Sequence, residues 1–146
     1  MSDIKERQEE IIDEFSMFED WMQRYEYMID LGKSLPLIDD EYKTDDYIIK
    51  GCQSRVWVKA DYENQNDQLV FKADSDAIIT KGIVAILIRV FSGQKPEDIA
   101  QADTKFIDEI GLKEHLSPTR ANGLVSMIKQ MKAYALAYMS KKSSQN

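Results

Sequence analysis

Cysteine occurs once in the 146 residues, at Cys52, and histidine once, at His115. A single cysteine excludes a disulfide framework within the chain. It equally excludes a zinc or iron–sulfur cage assembled from several cysteines of one molecule. A lone thiol stays free in a reducing compartment, which makes the cytoplasm the expected location. Proline, at three residues, and glycine, at six, are too scarce for long disordered linkers. The most apolar run, "IVAILIRVF", contains Arg89 and is too short to span a bilayer. The opening "MSDIKERQEE" is charged and has no apolar centre, so neither a signal peptide nor a membrane partner is expected. Dense Lys/Arg stripes are also missing, and the formal net charge is −7. A surface of that sign repels phosphate backbones, so nucleic acid is a poor partner and a basic protein surface a better one.

What is present reads as one globular domain over residues 1–140, followed by a polar, flexible tail over 141–146. The length suits a single core, and hydrophobic residues make up 43% of the chain. In the first 33 residues, Ile4, Ile11, Phe15, Phe18, Met22, Tyr25 and Ile29 recur at helical spacing. Ser16 and Glu19 fit an S-x-x-E capping box, which predicts two helices with a break there, the second closed by Gly32 and Pro36. "DYIIK", 46–50, predicts a short strand. "SRVWVKADYE" alternates, with Val56, Val58 and Ala60 on one face and Trp57 and Lys59 on the other. "DQLVFKAD" follows across the turn "NQND", which completes a hairpin. "AIITKGIVAILIRVF" is β-branched in composition but too long for a strand. It predicts a buried helix, with Ser75 or Asp76 capping its start and Ser92-Gly93 ending it. Pro96 opens a short helix, and "TKFIDEIGL" predicts another. Ser117-Pro118 starts a last helix whose stripe of Leu124, Ile128, Met131, Ala135 and Tyr138 is a packing face.

The chemistry centres on "KGCQSRVW", 50–57. A thiol reacts as the thiolate, and an unperturbed cysteine has a pKa of about 8.5, so local charge decides its reactivity. Lys50 and Arg55 flank Cys52 and can stabilise the anion if their side chains turn towards it. Gly51 permits positive φ or close approach by another backbone. A free cysteine is also commonly a small buried hydrophobe, and that reading stands beside the reactive one. His115 is the sole imidazole available as a base for the thiol. Capping accounts for Asp74 and Asp76. Arg120, in a first helical turn, is placed against the helix dipole, which points to a carboxylate, a partner or a site role.

The block "GCQSRVW" resembles the signature of the SufE family of sulfur-acceptor proteins. "SDAIITKGIVAILIRVFSGQKPEDI", "FIDEIGLKEHLSPTRANGLVSMI" and "FEDWMQRYEYMIDLGKSLP" resemble further blocks of that family, and the resemblance covers roughly residues 8–140. It implies an α+β fold similar to SufE and IscU-like scaffolds, with a small antiparallel sheet of about three strands packed against several helices. It also implies that Cys52 takes a sulfane sulfur, as a persulfide, from a pyridoxal-phosphate cysteine desulfurase of the SufS type and stimulates that enzyme. The sulfur then passes to an Fe–S assembly complex of the SufBCD type. The pyridoxal phosphate belongs to the desulfurase, and the chain itself is implied to need neither metal nor cofactor. Gly51, Gln53 and Ser54 would shape the cysteine loop, with Lys50, Arg55, Asp76, His115 and Arg120 as loop or partner-surface candidates. A homodimer is left open. So are a desulfurase of another sulfur pathway and a docking or activating protein with no covalent role. A cysteine hydrolase using Cys52 and His115 lacks any visible oxyanion or orienting motif. Under the relay reading the lone cysteine makes sense. A second nearby thiol would attack the persulfide, form a disulfide and release sulfide.

Overall fold

The computed structural model describes residues 3–145, with side chains to Lys142. Among these residues six α-helices and one two-stranded antiparallel sheet form an α+β fold. Helix α1, Ile4–Ser16, is capped by Asp3, whose carboxylate accepts the Glu6 N–H at 2.8 Å. It buries Ile4, Ile11 and Phe15, the stripe its spacing predicts. The break before α2, Trp21–Lys33, falls where expected, but the cap differs. Asp20 accepts the Gln23 N–H at 2.8 Å, and Gln23 in turn accepts the Glu19 N–H at 3.3 Å. Ser16 instead ends α1, its hydroxyl donating to the Asp13 carbonyl at 2.7 Å. The reciprocal cap therefore begins four residues later than the S-x-x-E pattern places it. Asp and Ser are comparable caps, and the chain uses the one next to the apolar face of α2.

Strands β1, Val56–Glu63, and β2, Gln68–Ser75, pair in the register Val56 with Ser75 through Glu63 with Gln68. Val56, Val58 and Ala60 are buried together with Leu69, Phe71 and Ala73, so one face of the hairpin is core. Asp67, at φ +50°, closes the Asn64–Asp67 turn. The third strand expected over 46–50 shrinks to a single bridge between Ile48 and Trp57. It is held by Ile49 N–H to Val56 O at 2.8 Å and Val58 N–H to Tyr47 O at 3.0 Å. A matching bridge from Leu37 to Ala73 covers the other edge. Short bridges of this kind hide the hairpin's free N–H and C=O groups without extending the sheet.

Helix α3, Ile78–Phe91, packs against α1, α2, α6 and β2 and is buried almost throughout. Of its two basic residues, Arg89 reaches out to Glu10 and Glu14 of α1, and Lys81 pairs with Asp74 at the end of β2. Gly82 sits where α3 crosses α2. A Cβ there would run into the Met28 carbonyl, and one on Gly32 would lie 3.0 Å from the Gly82 nitrogen. Gly32 thus serves a helix crossing rather than a helix end, because α2 continues to Lys33. Short helices α4, Pro96–Gln101, and α5, Lys105–Glu109, lead to α6, Pro118–Gln145. The Ser117 hydroxyl accepts the Arg120 N–H at 3.3 Å, which caps α6 as expected. Helix α6 lies over the hairpin, with the Tyr134 hydroxyl donating to Val58 O at 2.9 Å. Its backbone is helical to Gln145, inside the segment expected as a tail, and Lys142 pairs with Asp67 and Glu97 at 2.7 Å each. Asn146 and the side chains of 143–146 lie outside the described residues. No helix among the described residues is long and apolar enough to cross a membrane.

Candidate functional site

The cysteine loop runs from the Ile48 bridge to the start of β1 and is held at both ends. At its entry Ile49 is buried, and Gly51 adopts φ +93°. That φ favours glycine; a Cβ there would also come within 2.7 Å of the Ser126 Oγ on α6, which is the end of a rotatable side chain. At its exit the Arg55 backbone is clamped to the segment before α3. The Arg55 N–H donates to Asp76 Oδ1 at 3.1 Å, and its carbonyl accepts the Ser75 hydroxyl at 2.8 Å. Ser75 and Asp76 therefore fix the loop rather than cap α3, whose N-cap is Ala77. Asp74 is no cap either. Its carboxylate, nearly buried, pairs with Lys43 at 2.7 Å and Lys81 at 3.3 Å and accepts the Ser75 N–H at 2.8 Å.

Between these anchors Cys52 is half-buried against α6, its thiol donating to the Gly123 carbonyl at 3.6 Å. Gly123 makes this possible, because a Cβ there would stand 3.2 Å from the sulfur. Beside the sulfur opens a cleft of about 300 Å³. Cys52, Gln53 and Ser54 form one wall, Thr80 and Ile83 of α3 another, and Thr119, Arg120, Gly123 and Met127 of α6 a third. Burial pushes the Cys52 thiol above its ordinary pKa. The resting site therefore holds a protonated thiol near neutral pH.

Of the residues singled out by sequence, the cleft gathers Cys52, Gln53, Ser54 and Arg120. Gly51, Arg55 and Asp76 support it from behind through backbone contacts. Lys50 is exposed and does not line it. His115 lies elsewhere. Its ring stacks on Trp21 with centroids 3.8 Å apart, and its Nδ1 is 3.0 Å from the Gly111 carbonyl. The structure does not bring this imidazole into the cysteine cleft. Four residues that sequence reasoning passed over are Thr80, Thr119, Gly123 and Ser126. A glycine inside an otherwise regular helix, as in "RANGLVS", is the one signal that was available, since glycine is costly there unless another group must come close. A larger, more open groove of about 570 Å³ lies between α1 and residues 98–109. Its rim is ionic, and neither the thiol nor the imidazole faces it.

Residues 9–135 match the family described as "SufE: Fe-S metabolism associated domain". The chain belongs to the SufE family. It is 42% identical over 130 residues to an uncharacterised SufE-like protein of Rhizobium meliloti, covering 87% of this chain and 93% of that one. A SufE-like protein of Rhizobium etli is 40% identical over 130 residues, covering 87% and 88%. SufE-like protein 1, chloroplastic/mitochondrial, of Arabidopsis thaliana is 34% identical over 136 residues, and this chain spans 36% of its length. The solution structure of a hypothetical protein from Thermus thermophilus superposes with a TM-score of 0.76 at 18% identity, covering 92% of this chain and 96% of that one. That likeness concerns the fold. Within the SufE family's link to Fe–S metabolism, this chain presents one thiol, a cleft beside it, and neither a second thiol nor an imidazole in the cleft wall.

Proposed function

We propose that this SufE protein is a sulfur carrier: Cys52 accepts a sulfane sulfur from the persulfide of a pyridoxal-phosphate cysteine desulfurase and stimulates that enzyme's turnover. The observation that carries the reading is the sole thiol of the chain set in an open cleft with space beside the sulfur. The Cys52 thiolate attacks the outer sulfur of the donor persulfide. The donor S–S bond breaks and its electron pair returns to the donor cysteine, while a new S–S bond forms on Cys52. One proton leaves Cys52 and one is regained by the donor thiolate, with no net oxidation. The same exchange in the other direction delivers the sulfur to an Fe–S assembly complex, whose thiol makes the next attack. Pyridoxal phosphate stays with the desulfurase, and the reaction belongs in a reducing compartment such as the cytoplasm.

Incubating the protein with a cysteine desulfurase and cysteine, then weighing it intact, tests the reading. A gain of one sulfur atom on the native chain and none on Cys52→Ser is expected. The serine variant keeps the fold and still docks, but fails to raise desulfurase turnover, since an alcohol holds no sulfane sulfur and ionises too weakly to attack one. Full stimulation by a folded Cys52→Ser protein would overturn the carrier reading in favour of a docking protein.

A further inference from the structure

One polar group in the cleft has no task in the fold. Thr80, in the first turn of α3, is only 5% exposed and lines the cleft that Cys52 faces. Among the described residues its hydroxyl has no hydrogen-bond partner, although the Ser126 hydroxyl on the facing helix donates to the Asn122 carbonyl at 3.1 Å. No buried side-chain oxygen among the described residues is sealed off without a partner, so Thr80 Oγ1 keeps access to the cleft. A buried hydroxyl is favourable only when something accepts or donates a hydrogen bond. Valine has the same shape and would fill the wall without that demand. The hydroxyl is therefore available to whatever enters the cleft.

Resting on the carrier reading above, we infer that Thr80 is a positioning residue for the loaded state: its hydroxyl donates to the terminal sulfur of the Cys52 persulfide. The cleft of about 300 Å³ is far larger than one added sulfur atom, so loading requires no repacking. The terminal sulfur of a persulfide ionises more readily than a thiol, and an anion in a half-closed site is held best by a fixed donor. A threonine on a packed helix is such a donor, its backbone fixed by α3. The resting thiol instead turns to the Gly123 carbonyl, an acceptor suited to S–H and unsuited to an anionic sulfur. Loading then exchanges an acceptor partner for a donor partner, and the second sulfur points at Thr80.

The test uses the full chain loaded by a cysteine desulfurase and cysteine, separated from the enzyme and alkylated with iodoacetamide across a range of pH. Intact mass follows persulfide and thiol separately. Thr80→Val is expected to load, to raise the pH midpoint of persulfide alkylation by about one unit, and to lose its sulfur to a reductant on the order of tenfold faster. Thr80→Ser, which keeps the hydroxyl, is expected to restore the native midpoint, and the unloaded thiol is expected to titrate alike in all three proteins. Circular dichroism establishes that the variants are folded. Identical persulfide midpoints in native, Val and Ser proteins would overturn the role of Thr80 while leaving the carrier reading intact. Failure of the native chain to gain a sulfur would overturn both.

Discussion

Gly123→Ala separates the fold's need for this glycine from the site's need. Alanine in a helix interior is favoured over glycine by about 0.8–1 kcal/mol, because glycine loses more backbone freedom on folding. The new methyl would lie 3.2 Å from Cys52 Sγ and 3.7 Å from its Cα and Cβ. The first contact is too tight by a few tenths of an ångström, the others are ordinary. Sγ is the end of a one-torsion side chain beside an open cleft, so the sulfur can rotate away. Rotation gives up a thiol-to-carbonyl contact of 3.6 Å, which is weak. The propensity gain therefore wins or breaks even. Stability should be unchanged or raised by up to about 1 kcal/mol, which moves Tm upward by about 2–4 °C at most for a chain of this size. The displaced thiol should alkylate faster than the native one. Urea unfolding and iodoacetamide kinetics at fixed pH measure both. A loss of stability beyond about 1 kcal/mol would show the sulfur to be locked in place rather than free to rotate, and refute this account of the cleft.

The remaining predictions use other contacts of the same frame. Gly82→Ala should destabilise by about 1–3 kcal/mol or more, because the obstacle is the Met28 backbone and the two helices must part; a native urea midpoint would refute it. Gly51→Ala places a side chain at φ +93°, and should cost about 1–3 kcal/mol while raising Cys52 alkylation by loosening the loop. Burial alone pushes the Cys52 thiol up, so alkylation of the isolated protein should be slow at neutral pH, with a midpoint above about 8.5, and faster with the desulfurase bound. Burial works to raise the Asp74 carboxyl, but hydrogen bonds from Lys43, the Ser75 N–H and Lys81 outweigh it and hold the carboxyl below its ordinary value. A depressed carboxyl contributes stability that is complete above its unfolded pKa of about 3.9 and is lost as the pH falls through the lower folded value. Asp74→Asn should flatten the acid limb of the stability profile below that point, and an unaltered limb would count against the pairing.

Helical and strand periodicity made most of the fold legible. The stripe of Leu124, Met131 and Ala135 on α6 and the alternation of Val56, Val58 and Ala60 are local patterns, and local patterns survive folding when they match the core. The failures share a cause. "DYIIK" has strand composition, but whether it forms a ladder depends on how much partner edge is left, and only Trp57 is there to bridge Ile48. Ser75 and Asp76 carry cap chemistry, yet the Arg55 backbone, 20 and 21 residues away in sequence, takes both side chains. His115 is a base candidate only as the sole imidazole of the chain, and its ring stacks on Trp21 away from Cys52. Thr80 gives no signal in the sequence and Gly123 only that of a glycine inside a helix, for the opposite reason. Each acquires its role only where α3, α6 and the cysteine loop converge.

That convergence bears on how a shielded thiol becomes a reactive one. Both ends of the loop are fixed, at Ile49 by its N–H bond to Val56 O and at Arg55 by Asp76 and Ser75. Unfolding the loop would break these contacts together. Turning the Cys52 side chain breaks only the long contact to Gly123. A change of side-chain rotamer costs little beside the loss of several backbone hydrogen bonds, and the cleft supplies the room. Activation on docking therefore calls for side-chain rotation, with the loop ends kept in place. Hydrogen exchange can tell the two apart. Rotation leaves the Arg55 amide protected when the desulfurase binds, whereas loop opening exposes it, and loss of its protection in the complex would refute the rotation argument.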